Sequence, residues 1–289
     1  YEEAARQVQR ATAADAGMLS AYYHYAMSTA EKDDLEHLRS VLSLLRERRP
    51  KDPAAATLQG LWYAQQNLYE QALPYYREAE ALYQTASDND ATAPARFYFW
   101  FGAALERTGN LEKADLYFQR CIEIDPNFAE AYNYIAYMWA EQGAQLDRAE
   151  RLVRKALELD PGNGAFLDTL GWLYYHQGRR EEALEKLLEA AAVEPDDPTI
   201  LDHIGDALME LERPALARDY WRRALEADPK NETIRGKLDA AEEGVEGVDG
   251  EFHLHADRAL SGSLGEVARL QEKRLDGEVA LPVARGVVE

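Results

Sequence analysis

The sequence predicts an all-α protein built from repeated pairs of helices. Three observations point there. Small and large residues recur at a fixed interval: Gly205 follows Gly171 by 34 residues, Ala217 follows Ala183 by 34, and Pro229 follows Pro195 by 34. Glycine recurs inside segments whose apolar residues have helical spacing, where it costs about 1 kcal/mol relative to alanine, so packing must offset it. Strand signals are nearly absent through residue 231.

Aligned on these positions, the chain divides into six units, 19–52, 53–94, 95–128, 129–163, 164–197 and 198–231. Such internal periodicity is the mark of a stacked-repeat architecture. The first helix of each unit carries large, small and large residues in turn, as in Leu170, Gly171 and Tyr174, or Ile204, Gly205 and Leu208. A polar turn follows, HQGRRE in one unit and RTGNLE in another. The second helix offers Ala183, Leu187 and Ala190, matched by Ala217, Trp221 and Ala224. Small residues let two helices approach, and large ones fill the space beside them. Proline then ends the pair. The unit 129–163 has one extra residue, in EQGAQLDRAE, and Ala136 at the glycine position. The first unit is weaker, with Ala26 and Leu38 at the glycine and alanine positions.

Residues 1–18, beginning YEEAARQVQRATAADAG, read as the second half of a further repeat, so the chain is expected to start inside one. At the other end, residues 232–244 continue as a helix that caps the last unit. The extension 245–289 changes character. Phe252 and Leu254 alternate with His253 and His255, as in a short strand. Ser263 and Glu266 form a capping box for a helix of about three turns. An extended tail follows.

The pattern resembles the tetratricopeptide repeat family, whose 34-residue signature runs Trp/Leu–Gly–Tyr–Ala–Phe–Ala–Pro. The resemblance covers residues 1–231. It implies a right-handed superhelical solenoid, with a concave face made from the first helices, that binds a protein or peptide. The inward positions of those helices, carried over residue by residue, are Asn133, Tyr137 and Glu141, then Asp168, Trp172, Tyr175 and His176, then Asp202, Asp206 and Glu210. Of these, Asn133, Tyr137, Asp168, Trp172, Tyr175, Asp202 and Asp206 are the candidate partner-binding residues. Some family members grip acidic C-terminal tails through Lys and Asn at two of these positions. The lysines are missing here, so the expected partner is a basic or mixed peptide, with Trp172 as an anchor between groove and core. Trp139, Trp221 and Cys121 are assigned to packing. His176 and His203 read as a turn residue and a helix-face residue without special chemistry. The repeats resemble those of bacterial proteins, several of which are envelope adaptors.

Composition narrows the function. Lys and Arg total 32 against 53 Asp and Glu, a net charge of −21. Phosphate recognition needs clustered cations, which argues against nucleic acid and anionic membranes as partners. No apolar run approaches the ~18 residues of a membrane-spanning helix. A single cysteine precludes an intramolecular disulfide. No phosphate-loop or nucleophile-elbow motif occurs. The run His253-x-His255-x-Asp257 lacks the second cluster that zinc usually needs. The chain therefore reads as a non-catalytic scaffold without metal or cofactor. The alternative is the interaction segment of a larger enzyme or transport assembly whose active part lies upstream.

Overall fold

The computed structural model describes residues 50–85 and 93–243, together with positions 39, 42, 43, 46 and 47 of a preceding helix. Most of the unit 19–52, the residues before it, and the extension with its strand, capping box and His253–His255 pair lie outside the described residues. Between residues 53 and 243 the described residues form eleven helices and no strand. They are α1 (Pro53–Ala64), α2 (Tyr69–Thr85), α3 (Ala95–Arg107), α4 (Leu111–Ile124), α5 (Ala129–Glu141), α6 (Leu146–Leu159), α7 (Gly164–His176), α8 (Arg180–Val193), α9 (Pro198–Glu210), α10 (Pro214–Ala227) and α11 (Glu232–Glu243). The chain divides into two units, Tyr1–Ala131 and Tyr132–Glu289.

The helix ends follow local chemistry. Asp52 and Asp197 cap the N-termini of α1 and α9, accepting from the amides of Ala54 and Thr199 at 3.0 and 2.9 Å. Pro53 and Pro198 follow them at the first helical position, where a missing N–H costs nothing. Asn163 and Asn231 serve α7 and α11 in the same way.

Each first helix ends at a left-handed residue: Asn67, Gly109, Gly143, Gly178 or Glu212. At Gly178 the backbone closes with two bonds, Gly178 N–H to the Tyr175 carbonyl and Arg179 N–H to that of Tyr174, both 2.9 Å. The same pair closes the turn at Glu212, to Met209 at 3.0 Å and Leu208 at 2.9 Å. This is the Schellman arrangement, which needs a residue that tolerates positive φ. Glycine does so freely and asparagine fairly well. Glu212, at φ 59°, does so against steric resistance from its own Cβ.

The glycine inside the first helix has a different cause. A Cβ on Gly60 would lie 2.8 Å from the Tyr76 ring, and one on Gly102 2.8 Å from the Phe118 ring. On Gly171 it would meet Leu187 at 2.7 Å, and on Gly205 it would strike the pyrrole edge of Trp221. Each partner lies 16 residues further on, in the second helix of the same pair. The packing device is therefore a glycine facing one large side chain. Ala136 occupies the glycine's place in α5. With one residue inserted in the turn, the matching position of α6 is Val153, smaller than any of the other four partners, and both residues are fully buried in one cluster.

In the unit Tyr1–Ala131 the core is aromatic. Tyr76 stacks on Phe101 at 5.5 Å, and Phe99 lies between Phe118 and Phe128 at 5.7 and 5.1 Å. Cys121 is fully buried, and burial, reinforced by Asp125 and Glu130, pushes its thiol up to about 12, so it acts as a small apolar residue. In the unit Tyr132–Glu289, one cluster joins α5, α6 and α7 with Ala183 of α8, and a second joins α8 to α11. Trp221 is buried in the second and Trp139 packs against the first.

Two sets of variants test this reading. Gly102→Ala gains helix propensity of about 1 kcal/mol but overpacks a rigid ring, at a cost of ~1–3 kcal/mol, so the thermal midpoint should fall. Adding Phe118→Val, which recreates the Ala136–Val153 pair, should recover part of that loss. The double-mutant cycle is expected to show favourable coupling of ~1 kcal/mol or more, and strict additivity would mean the ring is not the reason for the glycine. Separately, Glu212→Gly should stabilise and Gly178→Ala destabilise, each by ~1 kcal/mol. Urea melts of the two variants moving in the same direction would contradict the turn argument.

Candidate partner-binding site

The candidate residues all fall on α5, α7 and α9 of the unit Tyr132–Glu289, and polar links tie them to neighbouring helices. Trp172 of α7 donates its indole N–H to Glu141 at the end of α5. Asp168, one turn before Trp172, accepts from Nδ1 of His203 on α9 at 2.9 Å. Lys237 of the capping helix α11 donates to both carboxylate oxygens of Asp202, at 2.8 and 2.9 Å, and to Asp206 at 2.6 Å.

Two of these links share one register. Asp168 and Asp202 are both the fifth residue of their helices, while His203 and Lys237 are both the sixth residue of the next first helix. A carboxylate on one repeat thus meets a cationic side chain one repeat on. In the α5–α7 joint the same two places hold Asn133 and Thr169. Thr169 turns to the Ala165 carbonyl at 3.0 Å, and no protein donor reaches the buried Oδ1 of Asn133.

Aromatic packing joins the first two links. Trp172 stacks on His203 at 3.9 Å with an interplanar angle of 11°, and on Tyr175 at 4.6 Å and 5°. His176 meets Trp172 edge-on at 4.8 Å. Tyr137 packs against the cluster that contains Trp172.

The electrostatics follow from burial and from who faces whom. Burial pulls the His203 imidazole down, but Asp168, supported by Asp202 and Asp206, outweighs it and holds the group above the ordinary histidine value. His176 goes the other way, lowered by burial and by the nearby His203 despite Glu141. Burial opposes the charge on Lys237, and its two carboxylates overcome that and raise it. Asp206 is raised as well, because burial outweighs its share of a lysine divided with Asp202. Tyr175 is raised by burial and by Asp206 and Glu210.

The structure therefore brings Asp168, Trp172, Tyr175, Asp202 and Asp206 together, and places Asn133 and Tyr137 half-buried on α5. It differs from the sequence reading in what these residues face. Asp168 and Trp172 are buried, at 6% and 9% exposure. Asp202 and Asp206 are paired with a lysine. His203, read as a face residue without special chemistry, is 5% exposed and carries the Asp168 link. Lys237 belongs to the cap and so lies outside the inward positions of the six units. One signal marks it in the sequence: Lys237 follows His203 by 34 residues. Among the described residues no group of three or more His, Cys, Asp or Glu is placed to hold a metal, and no helix is long and apolar enough to cross a membrane.

Lys237→Ala should leave two half-buried carboxylates facing each other. Its expected cost near pH 7 is about 2–3 kcal/mol, below the ~3–5 of a fully buried pair because the lysine side chain keeps 29% exposure. Losing the lysine while Asp202 stays close should raise the Asp206 carboxyl further in the folded variant. Protonation then favours its folded state, so the deficit against the parent should shrink as pH falls from 7 toward 5. A deficit that is constant across this range would show that the carboxylates do not repel.

Comparison with known proteins agrees with the fold. Family models described as tetratricopeptide repeat match residues 129–237 and 95–128. A search of curated proteins returns no significant match. Among solved structures, a thermophilic tetratricopeptide-repeat protein of Thermus thermophilus is 19% identical with a TM-score of 0.55, over 65% of this chain and 98% of that one. A chain of the APC/C hetero-tetramer Cut9–Hcn1 is 16% identical with a TM-score of 0.64, over 77% of this chain and 42% of that one. The C-terminal part of a repeat protein from Cytophaga hutchinsonii is 16% identical with a TM-score of 0.52, over 77% and 86% of the two chains. At these identities the likeness concerns the fold alone. With the periodic glycines, the left-handed turns and the paired helices, the family-model matches identify residues 95–237 as tetratricopeptide repeats.

Proposed function

We infer that this chain is a non-catalytic scaffold or adaptor that binds a basic or mixed-charge peptide across the first helices of the unit Tyr132–Glu289. The helical-repeat fold supports protein–protein interaction as the general role. One observation carries the finer reading. Glu141, Asp168, Asp202, Asp206 and Glu210 gather around the Trp172–Tyr175 stack, against Lys237, His203 and Arg180, which pairs with Glu210 at 3.0 Å. Acid exceeds base even after every internal link is counted. Aromatic anchors within a charged rim suit a peptide with an apolar residue and nearby lysines or arginines. The whole-chain charge of −21 argues against nucleic acid as the partner.

The residues to test are those outside the three links between first helices, although Glu210 also pairs with exposed Arg180 of α8. Glu210 is exposed and half-buried Tyr175 caps the stack. Synthetic peptides carrying lysines spaced three or four apart around a leucine should bind the full chain, and their glutamate counterparts should not. Glu210→Lys should weaken binding about fivefold, the ~1 kcal/mol of an exposed ion pair, with unchanged helicity. Tyr175→Ala should weaken it further. Added salt should weaken the parent complex more than the Glu210→Lys complex. Equal binding of both peptide sets, or binding indifferent to salt, would overturn the charge assignment.

A further inference from the structure

We propose that the α7–α9 joint is a proton-operated clasp: the buried Asp168–His203 pair, stacked on Trp172, holds the two helices most tightly when His203 is charged and slackens when His203 becomes neutral.

The repeat itself supplies the comparison. The α9–α11 joint uses the same register, with Asp202 in the place of Asp168 and Lys237 in the place of His203. A lysine, with an ordinary pKa of ~10.4, stays charged throughout the physiological range, whereas a histidine at ~6.5 does not. One joint is therefore closed by a permanent cation and its neighbour by a conditional one.

The surroundings favour the charged form of His203. On α7 it faces Asp168 at 2.9 Å and the plane of Trp172 at 3.9 Å, an aromatic surface that attracts a cation. On α9 the carboxylates of Asp202 and Asp206 lie in its field, and from α11 Lys237 partly neutralises both. His176, on α7, is the opposing cationic group, and it is driven toward neutrality by burial. From α5, Glu141 reaches the far end of the same indole.

The direction of the effect follows. His203 binds its proton more tightly in the folded chain than in the unfolded one. Its contribution to stability is therefore complete below the unfolded value of ~6.5 and is lost as pH rises through the higher folded value. Because Trp172 links His203 to Glu141, the change reaches two successive joints and the face that carries Tyr175.

The test uses the full chain, with His203→Gln and Asp168→Asn as separate variants. Thermal midpoints are measured from pH 6 to pH 9, and histidine Cε1 proton shifts are followed by NMR over the same range. Parent protein should lose ~3 °C or more relative to His203→Gln across this range. One histidine resonance should titrate above ~6.5, vanish in His203→Gln, and move to lower pH in Asp168→Asn. The fluorescence difference between the parent and Trp172→Phe should follow the same midpoint, since a stacked imidazolium quenches indole. Parallel stability curves for parent and His203→Gln would overturn the proposal. So would a His203 resonance that titrates at or below ~6.5, or one that Asp168→Asn leaves in place. If His203→Gln does not fold, the resonance shift in Asp168→Asn decides the matter alone.

Discussion

The tightest constraint in this molecule is steric. Where the helices of a pair cross, one backbone lies directly against a large side chain of the other, and the crossing residue has no room for a β-carbon. The approach of Gly102 to Phe118, or of Gly171 to Leu187, sets the separation of the pair. That separation places the remaining apolar residues in contact. It also aligns α7 and α9 so that the fifth residue of each meets the sixth residue of the next first helix. The α5–α6 pair shows the constraint from the other side, where a methyl group is admitted and the facing residue is valine.

Pairs are thus set by shape, and the joints between them add chemistry. In a solenoid each repeat touches only its neighbours, so stability is approximately a sum of pair and joint contributions. The three joints from α5 to the cap differ in kind. An indole–carboxylate bond links α5 to α7, a histidine–carboxylate pair links α7 to α9, and a lysine shared by two aspartates links α9 to the cap. The positions that tetratricopeptide repeats offer to partners are here partly committed to holding the repeats together. On the proposed reading, a partner would meet the margin around half-buried Tyr175 and exposed Glu210.

The periodicity made the pair legible. Gly171, Gly205, Ala183 and Ala217 recur at one spacing because every unit solves the same crossing problem, and solving it leaves few alternatives to glycine and alanine. The helical class followed from that column. The joints were less legible, because their chemistry changes from unit to unit. Asn133 with Thr169, Asp168 with His203, and Asp202 with Lys237 occupy equivalent places without sharing residue types. Lateral contacts of this sort bring together residues about 35 apart, in a register that helical periodicity does not report. His203 carries no local signature, and its role comes from the aspartate of the preceding repeat. Trp172 has the spacing of a core residue and of a groove residue alike, and its burial depends on where the next repeat's histidine comes to rest.

The one-residue insertion in the α5–α6 turn shows how the repeats accommodate changes in length. Gly143 closes α5 as its counterparts close theirs, and Gln145, at φ 50°, adds a second left-handed residue before α6 begins. The extra residue is absorbed there, and Ala149, Val153 and Ala156 are fully buried all the same. Length is thus elastic in the turns and inelastic in the helices. For engineering, this turn is the natural graft point: an epitope or reporter peptide spliced beside Ala144 enters a connection that already holds a supernumerary residue without disturbing the packing on either side.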